Sequence, residues 1–170
     1  ALRDARPPGT RDVILCRNTR PLIGISERLR EIGVPCIVEG PNGQHLINLA
    51  IKWGDDITVK AWMAKVKEWQ TAQVEKLTAK GDQEEKIERL VEKCDTVRDI
   101  AKSMDEKHGK GTTMMIVARR IEQMFEYKPS GSAPVLKLCT VHRSKGREWN
   151  RVVLVGRNRY MPSRFAKQPW

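Results

Sequence analysis

Apolar residues follow two different spacings along the chain, and its first segment contains both. Residues 12–16 (DVILC) and 34–38 (VPCIV) are short apolar runs of the kind that form strands buried on both faces of a parallel sheet. The stretch between them has helical spacing instead, at Leu22, Ile25, Leu29 and Ile32. Thr19 can cap this helix, Pro21 suits its first turn and Gly33 suits a left-handed end. The pattern predicts one β-α-β unit whose right-handed crossover makes the two strands parallel.

Residues 44–127 show helical spacing. Helices are predicted over 44–53, from Thr58 onward, after the break at Gly81 and Asp82, and after the glycine-containing stretch HGKGT. Apolar residues three or four apart mark the last three helices, at Val59, Trp62, Val66 and Trp69, then Ile87, Leu90, Cys94, Val97, Ala101 and Met104, then Val117, Ile121, Met124 and Phe125. Such stripes pack helix against helix, most simply as an antiparallel hairpin, and the charged residues are expected on the solvated faces.

Strand spacing returns after a linker at 128–134 (KPSGSAP), in residues 135–139 (VLKLC) and 151–155 (RVVLV). The predicted fold class is therefore α/β, a parallel sheet interrupted by an all-helical insertion. We expect residues 1–43 and 135–170 to form the two parts of the sheet domain. Residues 44–127 would form the inserted subdomain.

The charge of the chain indicates the class of its partners. A net charge of +11 and a pI near 9.8 predict attraction to polyanions, either nucleic acid or an anionic membrane surface. No apolar run approaches the length of a membrane span, and the first residues (ALRDARPPGTRD) lack the apolar core of a signal peptide. We therefore expect a soluble, cytoplasmic protein without a membrane partner.

Neither the cysteines nor the histidines have the spacing of metal ligands. The four cysteines form no CxxC pair and lie far apart, at Cys16, Cys36, Cys94 and Cys139. This argues against a zinc site and against a disulfide framework, and three of them lie in strand-like runs where cysteine is a small buried hydrophobe. His45 and His108 have no partners at ligand spacing. No metal site is predicted.

Polar residues gather after two of the predicted strands. Arg17, Asn18 and Thr19 follow the first strand, and residues 140–145 (TVHRSK) follow the third. Ligands of open parallel sheets bind at the carboxyl ends of strands, so both clusters are expected along one edge. Hydroxyl and amide groups can donate to phosphate oxygens, and basic side chains add charge. Gly146 permits a turn or the close approach of a ligand, whereas Glu148 suits a sugar hydroxyl or a cation, because a carboxylate repels phosphate.

Less specific interpretations of these residues are open at this point. His142 could be a partly buried structural histidine, and no activated serine or cysteine accompanies it to form a hydrolytic triad. Arg17 and Lys145 could be ordinary surface charges. Three tryptophans could stack on bases, but at helical spacing they are more often core residues: Trp53, Trp62 and Trp69. The residues alone support a nucleic-acid-binding or nucleotide-binding α/β domain.

Two stretches of the chain resemble motifs of one enzyme family. Residues 140–156 (TVHRSKGREWNRVVLVG) resemble motif V of the UvrD/Rep-type superfamily 1 DNA helicases, in which T-x-H-x-[AS]-K-G-L-E-[FW] stands between two apolar strands. Residues 14–22 (ILCRNTRPL) are similar to the family's segment IVa, which leads through a helix to G-[IV]-P and another strand, as residues 30–40 (REIGVPCIVEG) do. The order of the motifs, with helices between them, is similar to the second RecA-like motor domain and its inserted subdomain. The sequence of segment IVa is most similar to that of phage or prophage members of the family.

The resemblance implies a partial RecA-like parallel sheet and assigns roles to residues. The side chains on the DNA side would be Arg17, Asn18, Thr140, His142 and Lys145. Nucleotide contacts are implied at Gly146, where the backbone can approach closely, and at Glu148, which would reach the ribose of ATP. No catalytic residue is expected in this chain. Arg147 departs from the family pattern, which has leucine at this position, and the departure implies different local packing.

The resemblance also implies an activity. Members of the family are ATP-dependent helicases that translocate 3′ to 5′ on single-stranded DNA and unwind duplex junctions. For this protein, the resemblance implies a bacterial or phage-infected cell. Such an enzyme needs ATP, Mg²⁺ and an N-terminal motor domain of the same chain. The sequence holds no G-x-x-x-x-G-K-[ST] loop, no Walker B acids and no motif VI, so we expect a helicase fragment that hydrolyses nothing alone. A second interpretation is a non-enzymatic basic nucleic-acid-binding module whose helical insertion docks a protein partner.

Overall fold

A computed structural model describes residues 11–40, 42–81, 83–109, 111–126 and 135–156 of the chain. The elements in these residues are, in chain order, β1 (Asp12–Cys16), α1 (Thr19–Glu31), β2 (Cys36–Glu39), α2 (Asn42–Ala50), α3 (Val59–Thr78), α4 (Glu84–His108), α5 (Met114–Phe125), β3 (Leu136–Thr140) and β4 (Arg151–Leu154). The linker predicted at 128–134 lies outside the described residues, as do residues 1–10 and 157–170.

The strands form one parallel sheet in the order β2-β3-β1-β4. Strand β3, from late in the chain, lies between β1 and β2, so the two strands of the β-α-β unit are parallel without being neighbours. The register aligns Cys16 with Thr140 and Glu39 with Cys139. The predicted α/β class is confirmed, and the parallel sheet agrees with part of a RecA-like domain.

Both faces of the sheet carry buried apolar residues. On one face, Leu22 of α1 forms a buried cluster with five strand residues, Cys16, Cys36, Val38, Leu136 and Leu138. On the other face, Trp149 packs against Val13, Leu15 and Cys139. The four cysteines are buried, as expected for small core residues. The strands are therefore anchored on two sides, which fixes where their polar ends lie.

The predicted first helix is present, but its start is wrong by one residue. Asn18 is the N-cap residue, with an extended backbone at φ −106°, and Thr19 is already helical and buried. The end of the helix is as predicted. Gly33 has φ +78°, its N–H donates to the Arg30 carbonyl at 3.0 Å, and the Val34 N–H donates to the Leu29 carbonyl at 2.8 Å. This Schellman arrangement uses Val34 for the cap, so the next strand begins at Cys36 instead of Val34.

Among the described strands β4 lies at an edge of the sheet, and its apolar side chains are not buried. Val152, Val153 and Leu154 are 53%, 44% and 43% exposed. Its first residue is held by an ion pair, because Nε of Arg151 donates to Oδ2 of the buried Asp12 at 3.0 Å. The strand prediction at 151–155 is confirmed to within one residue, but apolar composition did not indicate burial at this position.

Two compact units make up the described chain. Residues up to Gly40 and from Met124 onward form the first unit, which contains the sheet, and residues within Pro41–Gln123 form the second. In the second unit, α3 packs against α4 as a helical hairpin. The side chain of Thr58 accepts a hydrogen bond from the Ala61 N–H at 3.3 Å and so caps α3. Arg98 of α4 donates to Gln70 of α3 at 2.5 Å.

The tryptophans of the second unit are packing residues. Trp62 is fully buried, and its Nε1–H donates to the Leu49 carbonyl at 3.2 Å. Trp53 packs edge-on against Trp62 and Trp69, at ring-centroid distances of 6.3 and 6.1 Å. The predicted helix at 44–53 ends earlier, at Ala50, because tight turns follow it and Gly54 takes φ +109°. No helix in the described part of the chain has the length and apolarity needed to cross a bilayer.

Candidate functional site

The polar ends of β1 and β3 lie side by side at the carboxyl edge of the sheet. Cys16 and Thr140 are partners in the register, and the Val141 N–H donates to the Cys16 carbonyl at 3.0 Å. Arg17 and Asn18 therefore leave the sheet next to the residues that follow β3. The sequence pattern predicts this shared edge, and the strand order produces it because β3 pairs directly with β1.

The segment between β3 and β4, residues 141–150, begins with successive turns at 141–146, and we call the whole segment the edge loop. The Arg143 and Ser144 N–H groups both donate to the Thr140 carbonyl, at 2.9 and 3.1 Å. The Ser144 hydroxyl donates to the Val141 carbonyl at 2.8 Å, and the Arg147 N–H donates to the Ser144 carbonyl at 3.1 Å. These bonds tie the middle of the edge loop to the end of β3.

Gly146 has a conformation that few other residues adopt. Its φ is +75°, in the left-handed region, and a Cβ added there would meet no atom within 4 Å. The glycine is therefore required by the backbone turn and not by crowding within the chain. The open space beside it leaves room for a ligand to approach the backbone.

The predicted site residues differ in exposure. His142, Lys145 and Glu148 are exposed on the edge loop, whereas Arg17, Asn18 and Thr140 are partly buried at the strand ends. His142 is therefore not partly buried, which the interpretation of it as a structural residue had assumed. The structure brings Arg17, Asn18 and Thr140 together at the edge. Lys145, Gly146 and Glu148 lie farther along the edge loop.

Glu39 is a member of this edge that carries no assigned role in the sequence analysis. It is the last residue of β2, and its carboxylate is bound on both oxygens: Lys137 Nζ lies 3.3 Å from Oε1, and Arg147 of the edge loop donates to Oε2. Burial opposes ionisation, but Arg147 and Lys137 outweigh it and hold the pKa of Glu39 below its ordinary value. The sequence feature that could have indicated Glu39 is its position at the end of a third strand.

Trp149 anchors the far end of the edge loop. Its ring packs on Val13, Leu15 and Cys139 of the sheet. Lys137 Nζ lies 5.6 Å and Arg147 Cζ 5.9 Å from the ring centroid, within the range of cation–π attraction. The same two cations that bind Glu39 therefore also contact the tryptophan. The edge loop is held against the sheet by apolar contact and by charge.

The chemistry that this edge can perform is binding. Burial raises the pKa of the Cys139 thiol, and nearby Glu39 adds to the shift, so the thiol stays protonated and is not an activated nucleophile. Arg143 and Lys145 place exposed positive charge on the edge loop, beside hydroxyl and amide groups that can donate hydrogen bonds. That combination suits the backbone of a nucleic acid. The exposed carboxylate of Glu148 suits a hydroxyl-bearing ligand instead.

Comparison with known protein families identifies a family to which the chain is similar. The family model described as the UvrD-like helicase C-terminal domain matches residues 47–169, more than half of the chain. The matched residues include α3, α4 and α5 as well as β3, the edge loop and β4. No curated protein and no solved structure matches the chain significantly.

Proposed function

Because the chain belongs to the UvrD-like helicase C-terminal domain family, we propose that it is the C-terminal part of an ATP-dependent DNA helicase. The whole enzyme would couple ATP hydrolysis to 3′-to-5′ translocation on single-stranded DNA and to unwinding at duplex junctions. Membership of this family supports a motor protein over the second interpretation, a non-enzymatic basic binding module.

The observation that carries the proposal is the adjacency of two polar strand ends. The register pairs Cys16 with Thr140, so Asn18 after β1 and His142 after β3 leave the sheet at one edge. We assign the DNA side of the site to Arg17, Asn18, Thr140, His142 and Lys145. Hydroxyl, amide and imidazole groups would donate to phosphate oxygens, while the basic side chains would replace counterions.

The nucleotide side of the site is assigned to the exposed part of the edge loop. Glu148 would accept a hydrogen bond from a ribose hydroxyl of ATP, for which its exposed carboxylate is suited. Gly146 would allow the ligand to approach the backbone, since the space beside its Cα is open. Gly146 directly follows the DNA-side residue Lys145, and Glu148 lies three positions after Lys145.

A single hydrogen-bonded loop would thus carry both sets of contacts. The turns that join Thr140, Ser144 and Arg147 make the edge loop a connected unit, because each bond restrains the next turn. A displacement of Glu148 on nucleotide binding would be transmitted along these turns to Thr140 and His142. We propose this as the local route by which the bound nucleotide alters the affinity for DNA.

Other parts of the proposed enzyme would lie outside this sheet edge. ATP hydrolysis would need a phosphate-binding loop and Mg²⁺, which we assign to an N-terminal motor domain. No three histidine, cysteine, aspartate or glutamate side chains converge on one point within the described ranges, so none of them is assigned to Mg²⁺. We propose that residues 44–127 are a helical subdomain inserted into the motor domain.

DNA binding by the chain itself tests the proposal. A fluorescently labelled oligothymidylate, followed by anisotropy, should bind the chain saturably and less tightly as salt rises. Asn18→Ala should weaken binding roughly tenfold, the effect of losing one hydrogen bond to a charged group, about 1.5 kcal/mol. Asn48→Ala, a matched change at an exposed position of α2, should bind like the unaltered chain. Absence of binding at low salt, or equal losses in both variants, would exclude this edge as the DNA site.

A further inference from the structure

Arg147, the residue that departs from the helicase motif, reaches back from the edge loop to the end of β2. Its Nη1 donates to Oε2 of Glu39, which lies 108 positions earlier in the chain. Lys137 of β3 binds the other oxygen of the same carboxylate, at 3.3 Å. Both oxygens of Glu39 are therefore held by cations from two other segments, and the carboxylate has a defined orientation.

The environment of this ion pair makes it stronger than an ordinary surface pair. The side chain of Glu39 is only 19% exposed and that of Arg147 is 40% exposed, so water and salt screen them incompletely. The guanidinium also lies over Trp149, whose ring is packed on the sheet. Arg147 is thus restrained from two directions, by a carboxylate and by an aromatic ring.

We propose that Glu39 and Arg147 are positioning residues, which hold the edge loop at the sheet edge in the geometry that DNA binding requires. This inference rests on the proposed function, because it takes single-stranded DNA as the ligand of the edge loop. Neither residue is assigned a contact with DNA. Where the helicase motif has leucine, this chain has an arginine that binds Glu39.

Positioning and simple electrostatics predict opposite changes in DNA affinity for one substitution. Glu39→Gln removes a negative charge close to the DNA side. If Glu39 acted on DNA only through its charge, the loss of repulsion would tighten binding. If it positions the edge loop, binding weakens, because Arg147 loses its partner and the turns before it lose their restraint.

The first measurement is the affinity for the labelled oligothymidylate, at a temperature where circular dichroism shows every variant folded. Glu39→Gln and Arg147→Gln should each weaken binding on the order of five- to tenfold. The double variant should be no weaker than either single variant, because both changes break the same pair. Arg147→Lys, which keeps the charge, should retain most of the affinity. Glu31→Gln, the same charge change at the exposed end of α1, is the matched control.

A second measurement does not involve DNA. Hydrogen exchange of the free chain should speed up at the Ser144 and Arg147 amides in Glu39→Gln, and not at the amides of β1. This result separates the positioning of the edge loop from the proposed function. Faster exchange would support positioning even if the unaltered chain failed to bind DNA. Failure to bind DNA would count against the proposed function alone.

Tighter DNA binding by Glu39→Gln would overturn the inference. Losses that multiply in the double variant, or unchanged hydrogen exchange in the edge loop, would also overturn it. A purely structural role would lower the unfolding temperature while leaving the affinity of the folded variants unchanged, and this too would contradict positioning.

Discussion

The carbonyl oxygen of Cys16 accepts a hydrogen bond from the Val141 N–H at 3.0 Å, and this bond joins the end of β1 to the start of the edge loop. The two residues come from distant parts of the chain and meet because β3 inserts between β1 and β2. Every DNA contact proposed for this protein depends on that meeting. Predictions for individual side chains follow from their places around it.

Thr140→Ala and His142→Ala should weaken single-stranded DNA binding while leaving nucleotide affinity unchanged. Each would remove one hydrogen bond to a phosphate, which contributes about 1.5 kcal/mol, or roughly a tenfold loss in affinity. Anisotropy titrations with oligothymidylate measure the effect. Thr71→Ala on α3 and His45→Ala on α2 are the controls, since both positions are exposed and lie in the helical unit. If the control variants lose as much affinity, the assignment of the DNA side is wrong.

Glu148→Ala should do the reverse in a complete helicase that contains this domain. Loss of a ribose hydrogen bond to a charged group costs about 1.5–3 kcal/mol, so ATP should bind at least roughly tenfold more weakly. DNA affinity should hold, because the proposed phosphate contacts would remain intact. Titration with a fluorescent ATP analogue gives the first value, and Glu68→Ala on the exposed face of α3 serves as the control. Equal weakening of DNA and ATP binding would indicate a collapsed loop.

Lys145→Ala tests the contribution of charge alone. If Lys145 contacts one phosphate, the slope of log affinity against log salt should become shallower by about 0.7, the value for one contact on a single strand. Affinity should fall most at low salt. Lys65→Ala removes the same charge from an exposed site on α3 and should leave the slope unchanged. A parallel downward shift with an unaltered slope would mean that Lys145 acts without contacting phosphate.

The sequence predicted the elements of the fold well, because periodicity reports which faces are buried. The stripe of Val59, Trp62 and Val66 is buried as expected. Periodicity does not report strand order, so the placement of β3 between β1 and β2 had to come from the structure. Nor does it report boundaries, since Val34 fits a strand by composition but is used by the helix cap. The exposure of Val152 shows the same limit at a sheet edge.

The candidate site was predictable only in part, for a related physical reason. The rule that ligands bind at strand ends indicated the positions of Asn18 and Thr140. The role of Glu39 depends on an ion pair with Arg147, and such a pair has no local spacing to reveal it. Arg147 could be seen to depart from the family pattern, but what it contacts could not be read from its neighbours in sequence.

Residues 41–123, produced alone, should fold into helices. This unit has its own buried residues, and Trp62 lies in its core with its Nε1–H bonded to Leu49. Circular dichroism should show helix and a cooperative thermal transition. Trp62→Ala should abolish the transition, since such a truncation costs about 3–5 kcal/mol, whereas Lys65→Ala should leave it in place. A random-coil spectrum for the unaltered piece would contradict an independent helical unit.

Acid should weaken the ion pair between Glu39 and Arg147, with a sign fixed by the direction of the pKa shift. Burial opposes ionisation of Glu39, but Arg147 and Lys137 hold its pKa below the ordinary value of 4.5. A carboxyl group whose pKa is lower in the folded state contributes stability above its unfolded pKa and loses that contribution as pH falls through its folded pKa.

Urea unfolding of the sheet unit, followed from about pH 7 to about pH 3, should therefore show that acid lowers the free energy of unfolding less in Glu39→Gln than in the unaltered chain. At neutral pH the same variant should be the less stable of the two, because its partner cations are left without the carboxylate. Glu31→Gln makes the same charge change at the exposed end of α1 and controls for net charge. Identical acid profiles for the unaltered chain and Glu39→Gln would show that the pair contributes nothing to the folded state.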